Sequence, residues 1–422
     1  MSNSAAAAGK SGFKAMFTLY LAMMCVGMGQ TVVFAILPML GRELHLDLLV
    51  FNLPFSDIVI EPRELAITSL SALTAFVFFV VAPKWGRLSD RWGRKPLIIF
   101  GLFGYVAGTL AFNGVAYLGL SGALVGTTLF VCLIISRAFH AVVMSATHPA
   151  SAAYMVDVTS VYERTKGMGK LQACNQLGVM VGPALAWFVT FNYLAPLYIQ
   201  AAVALIVGLL VCLYLPAIPP ANTTGRKQAK LAYFDPRYRK FIILGFIIYS
   251  LLGMVQQTLG FYFQDILAID GVRAAQLFSS AMVVSSVAIL LAQFGVVRSY
   301  SGLPMGLLRI GLPFMLLSYL LLANATALWM LYLAMGLFGF GMGLTGPSFT
   351  ASATMAVESH EQGGLAGLIG AIAGLGFMFG PLIGGGLYRL SPSYPYWCSA
   401  LVMTVVILSL SILDKSREKT KS

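Results

Sequence analysis

Twelve long apolar runs alternate with short polar connections along almost the whole chain. They predict helices over residues 13–40, 65–81, 96–116, 123–153, 168–191 and 196–215 in the first half. In the second half they fall at 241–267, 275–297, 304–323, 327–357, 364–388 and 397–413. Most reach or exceed the roughly 20 residues that a helix needs to cross a bilayer. The first run follows a polar, alanine-rich start and is too long for a cleaved leader, so it is expected to remain as the first span.

The polar connections add a direction. Lys and Arg concentrate on the cytoplasmic side of membrane proteins. If both termini are cytoplasmic, 22 of the 27 basic residues fall in inner segments, and only Arg42, Arg63, Arg273 and Arg389 fall in outer ones. Arg137 lies inside a span. This pattern predicts an even number of spans with both ends in the cytoplasm of a bacterial inner (plasma) membrane. It also accounts for the net charge of +12 without nucleic acid as a partner.

Composition agrees with the pattern. The chain is 59% hydrophobic and 10% charged, against about 25% charged in soluble domains. Its 43 glycines suit close helix approach in lipid. Five cysteines (Cys25, Cys132, Cys174, Cys212 and Cys398) all fall in apolar stretches, with neither disulfide-framework nor zinc spacing.

A polar, basic, proline-bearing stretch divides the runs into six and six. The expected organisation is a six-helix bundle over 1–217, a cytoplasmic linker over 218–240 and a second six-helix bundle over 241–422. The halves echo each other: Gly178, Gly182, Pro183 and Glu163 recur 198 residues later as Gly376, Gly380, Pro381 and Glu361. An internal repeat of this kind is how many secondary transporters build two bundles around a central site. The fold class is therefore an all-α membrane protein of twelve transmembrane helices in two pseudo-symmetric six-helix bundles.

The sharpest local motif follows the second run: Gly86-Arg87-Leu88-Ser89-Asp90-Arg91-Trp92-Gly93-Arg94-Lys95-Pro96-Leu97. Glycine allows helices to touch, and an aspartate among arginines can form ion pairs that break and reform. The loop resembles the signature loop of the major facilitator superfamily, and the six-plus-six layout extends the likeness over nearly the whole chain. The resemblance implies a cytoplasmic gate containing Gly86, Asp90, Arg91, Gly93 and Arg94, with Asp157 as a partner. The counterpart in the second half, Phe294 to Arg298, lacks the aspartate, so any latch is asymmetric.

Gly178-Val179-Met180-Val181-Gly182-Pro183 resembles the glycine-proline motif of the drug:proton antiporter (efflux) branch, although Ala186-Trp187 stands where that motif closes with two glycines. Arg137 aligns with an arginine that the family carries in its fourth span, where it is associated with proton coupling. Charge within the membrane is costly, which makes Arg137 a functional candidate on physical grounds as well. Arg137, His140, Met144, His148 and Ser151 share one helical face by their spacing.

Other candidates for solute contact or coupling are Gln30 and Phe34 in the first span and Gln172, Asn175 and Gln176 in the fifth. The seventh adds Tyr249, Gln256, Gln257, Phe261, Gln264 and Asp265. Polar side chains at such depths also serve as ties between helices. No acidic residue sits clearly at the midplane. The outer segment 41–64 holds Glu43, Asp47, Asp57, Glu61 and Glu64 in water, and Asp265 is near the outer end of its span. A cavity with Arg137 and no buried acid favours neutral or anionic solutes, carboxylate-type siderophores among them. If protons drive transport, Asp265 or His140 is the expected carrier.

No nucleotide-binding loop, nucleophile motif or metal-spaced cluster is present, and His45 and His360 lie far apart in loops. The sequence thus points away from an enzyme, a cofactor or a metal. It points to a monomeric, proton-linked exporter of small organic molecules. A multidrug exporter of lipophilic or cationic compounds and a proton-linked importer are the rival readings.

Overall fold

A computed structural model describes residues 2–52, 59–159, 163–218, 235–358 and 361–419. Asp57, His360 and most of the expected linker, 219–234, lie outside the described residues. The described chain is helical apart from one two-residue antiparallel ladder. In it β1 (Phe51–Asn52) pairs with β2 (Val59–Ile60), with Phe51 opposite Ile60. Among the described residues twelve helices are long and apolar enough to span a membrane, in agreement with the twelve runs of the sequence.

The first six spans are built from seven α-helices: α1 (Ser2–Glu43), α2 (Glu64–Trp92), α3 (Arg94–Leu120), α4 (Gly126–Met144), α5 (Thr147–Val158), α6 (Arg164–Val181) and α7 (Ala195–Tyr214). The remaining six are α8 (Arg239–Leu267), α9 (Gly271–Leu291), α10 (Pro304–Ala323), α11 (Leu328–Thr354), α12 (Gln362–Leu390) and α13 (Tyr394–Lys419). Large apolar side chains stand exposed along these helices, Leu213 at 74% and Leu401 at 67%, as a lipid-facing surface requires.

Three differences from the sequence pattern have physical causes. The fourth run breaks between α4 and α5, just before Pro149, which has no N–H to return to the turn preceding it. The fifth run leaves the α-helical form at Gly182-Pro183 and continues as a 3₁₀ stretch, Gly182–Thr190. The second span also outlasts its apolar window, continuing from residue 81 to Trp92 through Lys84 and Arg87. Helical hydrogen bonding does not stop where the hydrocarbon ends.

The chain divides into two compact units. One comprises Met1–Glu61 and Leu70–Arg226; the other comprises Pro62–Ser69 and Lys227–Ser422. In the first unit α1 packs on α6 and α7, and α3 on α4, α5 and α7. An apolar core including Leu19, Met23, Leu97, Leu102, Tyr105 and Tyr154 lies among them. In the second unit the main pairings are α8 with α12, α10 with α11 and α9 with α11.

Close backbone approach governs both units. A Cβ on Gly178 would strike the Met24 carbonyl oxygen, and one on Gly182 would strike Thr31 and the Met28 carbonyl, so α6 lies directly on α1. A Cβ on Gly380 would strike the Ser250 carbonyl, giving the same arrangement between α12 and α8. Small residues are the means by which membrane helices pack this closely.

Candidate functional site

The signature loop closes on a buried arginine. Gly93, at φ 92°, makes the turn between α2 and α3 in a conformation that side chains disfavour. Arg94 follows at 7% exposure. Its Nε donates to Asp157 Oδ2 at 2.8 Å, and its Nη1 meets Asp90 Oδ1 at 2.5 Å and Ser89 Oγ at 2.5 Å. The Ser89 hydroxyl donates in turn to the Gly86 carbonyl at 2.7 Å. Trp85 Nε1 donates to the Val142 carbonyl at 2.8 Å, fixing α2 to α4. Asp90, Arg94 and Asp157 thus form one cluster joining the ends of α2, α3 and α5, while Arg91 is exposed.

The second unit holds a different ion cluster, which the sequence pattern did not reveal. Arg237, ahead of α8, donates from Nη1 to Glu361 Oε2 at 2.9 Å and from Nη2 to Glu361 Oε1 at 3.0 Å. It also holds Asp235 through Nε and Nη2. This bonding keeps the Asp235 carboxyl below its ordinary range and raises the Arg237 guanidinium. Glu361 is the repeat partner of Glu163, which was the only available signal.

Within the first unit a polar cluster is buried between α3 and α4. Gly101, Gly104 and Gly108 let α3 lie on α4 and α5: a Cβ on Gly104 would come within 2.7 Å of Val143 Cβ, and one on Gly108 within 2.7 Å of His140 Cα. Arg137 and His140 are 4% and 3% exposed. Arg137 Nη1 lies 3.4 Å from His140 Nδ1, and its guanidinium carbon lies 5.3 Å from the centre of the Phe112 ring. The Tyr105 and His140 rings meet edge to face at 4.7 Å. Met144 lines a cavity of about 10 Å³ with Cys25, Tyr105 and Thr147, room for about one water.

Tyr105, Asn113 and Gln200 belong to this interior and were not singled out from sequence. Tyr105, Thr109 and Asn113 follow at intervals of four, so one face of α3 is polar inside an apolar run.

The remaining candidates are dispersed. Gln30 and Phe34 are half-buried on α1; Gln172 is exposed on α6, and Gln176 is half-buried. Asn175 Nδ2 donates to the Met23 carbonyl at 3.2 Å, so its amide ties α6 to α1. Gln200 ties α7 to α1 likewise, donating to the Cys25 carbonyl at 2.9 Å.

In the second unit, Tyr249 packs against Phe349 and Phe377. Gln256 and Gln257 are buried, with Gln256 Oε1 and Gln257 Nε2 lacking hydrogen-bond partners. Phe261 is fully buried with its ring 5.7 Å from Tyr388, Gln264 is half-buried, and Asp265 is exposed and accepts from the Tyr388 hydroxyl at 2.6 Å. Among the described residues no three His, Cys, Asp or Glu side chains are grouped to hold a metal.

The twelve-span architecture has counterparts among known proteins. The model of the Major Facilitator Superfamily matches residues 19–323 and 301–422, and the chain belongs to that family of membrane transporters. It is therefore a multi-pass membrane protein and not an enzyme. Multidrug resistance protein 1 of Bacillus subtilis (strain 168) is 25% identical over 419 residues, covering 96% of both chains. The class C tetracycline resistance protein of Escherichia coli is 28% identical over 338 residues, 77% of this chain and 80% of that one. The human organic anion transporter MFSD10 has a similar fold, with a TM-score of 0.63 at 17% identity over 94% of this chain and 98% of that one. The nucleoside transporter NupG reaches 0.67 at 15% identity, over 94% and 99%.

Proposed function

We propose that this protein is a monomeric secondary transporter of the bacterial inner membrane, with both termini cytoplasmic, that exports small organic molecules by proton antiport with alternating access. The relatives named for multidrug and tetracycline resistance support export, and the lysine and arginine distribution supports the orientation. In this reading Asp90, Arg91, Arg94 and Asp157 form the cytoplasmic gate, with Gly86 and Gly93 shaping its loop. Gly178, Gly182 and Pro183 allow α6 to bear closely on α1.

The observation that carries the solute preference is the burial of Arg137. A guanidinium stays charged at any physiological pH, and a buried charge demands a counter-charge. Neutral and anionic metabolites, such as carboxylate siderophores, suit such an interior better than cations. Arg137, His140 and Met144 on α4, with Gln30 and Phe34 on α1 and Gln172 and Gln176 on α6, then form the first half's share of the solute path, with Asn175 bracing α6 against α1. Tyr249, Gln256, Gln257, Phe261 and Gln264 form the second half's share, and Asp265 or His140 carries the proton.

A second reading is favoured by the names of the relatives: a multidrug exporter of lipophilic or cationic compounds. The two part company in liposomes that contain the purified protein and an entrapped pH indicator. Adding a transported solute outside should make the interior more alkaline as protons leave in exchange. Anionic or neutral solutes should evoke this response if the first reading holds, and only cationic drugs if the second does. No response from either panel would remove proton antiport.

A further inference from the structure

The interior of the first unit contains buried N–H groups without hydrogen-bond partners and, among the described residues, a charge without a counter-charge. Arg137 is a donor only, so its contact with His140 Nδ1 makes that nitrogen the acceptor and leaves the proton of the neutral ring on Nε2. His140 Nε2 has no hydrogen-bond partner, and neither has Arg137 Nε. Asn113 is fully buried with both Nδ2 and Oδ1 unpartnered.

The packing register places Asn113 beside this pair. Gly104 faces Val143 and Gly108 faces His140, so α3 and α4 run antiparallel with matched levels. The Arg137 guanidinium accordingly lies by the ring of Phe112, one residue before Asn113. Three buried side chains on the facing stretches of α3 and α4 thus carry unpartnered N–H groups, while Asn113 Oδ1 and the Tyr105 and Thr109 hydroxyls are unpartnered acceptors without charge.

Among the described residues of the unit, none supplies the missing negative charge. Among its described residues the acidic side chains are Glu43, Asp47, Glu61, Asp90, Asp157 and Glu163, each at a helix end or in a connection. Water could satisfy the donors, but it would leave the buried positive charge uncompensated. An oxyanion satisfies both, because a carboxylate accepts several charge-assisted bonds at once.

We infer that Arg137, His140 and Asn113 form an anion-binding site that takes a carboxylate group of the solute. The site itself follows from burial and donor count; only the carrier of the carboxylate rests on the exporter reading above. Asn113 is then a specificity residue, and its amide is the one group of the three that a carboxylate side chain can replace almost isosterically.

The test uses the full-length protein in lipid nanodiscs with sodium benzoate, sodium acetate, sodium chloride and tetramethylammonium as probes, read by calorimetry and by Tm. Benzoate or acetate should bind the wild type and raise its Tm, since a ligand that prefers the folded state stabilises it. Asn113→Asp places a carboxylate beside Arg137, so it should raise the ligand-free Tm and weaken carboxylate binding at least tenfold. Asn113→Leu should lose the affinity without the gain in Tm; if it does not fold, Asn113→Asp still decides. Carboxylate affinity unchanged within twofold in Asn113→Asp, no carboxylate response in the wild type, or binding of chloride or tetramethylammonium alone would each overturn the site. Carboxylate binding without gradient-driven transport of any solute would leave the site standing and remove the exporter reading. Transport without carboxylate binding would do the reverse.

Discussion

Arg94 Nε donates to Asp157 Oδ2 at 2.8 Å, joining the first turn of α3 to the last turn of α5 across 63 residues of sequence. The arginine side chain is 8% exposed and the aspartate 16%, so neither is well solvated if its partner is lost. Removing one member of a buried pair costs about 3 kcal/mol, because the other charge is left unpaired. Asp157→Ala should therefore lower Tm in nanodiscs and impair transport together, and Arg94→Ala should do the same. An unchanged Tm in Asp157→Ala would mean that Asp90 and Ser89 hold Arg94 unaided.

The contact of α6 with α1 makes a prediction with an internal control. A methyl group on Gly178 or Gly182 would collide with the α1 backbone, whereas one on Gly169 would meet nothing within 4 Å. Gly178→Ala and Gly182→Ala should each destabilise by about 1–3 kcal/mol, the usual range for overpacking. Gly169→Ala on the same helix should be neutral or slightly stabilising. Thermal unfolding of the three variants in one detergent checks this ordering.

The ion cluster ahead of α8 predicts a pH dependence. Arg237 holds the Asp235 carboxyl below its ordinary range, so the stabilisation it gives is full above the unfolded value of about 4. It is lost as the pH falls through the lower folded value. The difference in Tm between wild type and Asp235→Asn should thus be constant from pH 7 to 5 and shrink only below about 4. A difference that shrinks near neutrality would implicate another group.

Proton coupling separates two residues. If Asp265 carries the proton, Asp265→Asn should abolish uphill accumulation while leaving solute exchange at equilibrium intact. Tyr388→Phe, which removes the 2.6 Å hydrogen bond to Asp265, should weaken uphill accumulation without abolishing it. His140→Gln showing the Asp265→Asn phenotype instead would move the proton to the buried cluster. Exchange and accumulation measured on the same liposomes distinguish these outcomes.

The twelve spans were legible because membrane insertion requires long apolar runs whatever their tertiary partners, and the signature loop because its chemistry is local. The break before Pro149 was less visible, since a run of 31 mostly apolar and small residues carries no boundary in its hydropathy. Asn113 was hidden for a related reason: one amide in an apolar helix reads as a tie between helices, and only its burial with both polar atoms unpartnered distinguishes it. Arg237 and Glu361 are 124 residues apart, and no sequence pattern pairs an arginine in a connection with a glutamate ahead of another helix. Gln172 and Asn175 show the converse. Both lie at span depth on α6, yet one is exposed and the other is bonded to the backbone of α1.

The central claim is that Arg137 provides the charge against which an exported solute is handled. The direct measurement is uptake of labelled anionic and cationic solutes into inside-out membrane vesicles energised to an acidic interior, with wild type and Arg137→Ala side by side. Uptake of an anionic solute that is lost both when the gradient is collapsed and in Arg137→Ala is the predicted result. Gradient-driven uptake of cationic drugs that survives the loss of Arg137 would contradict it.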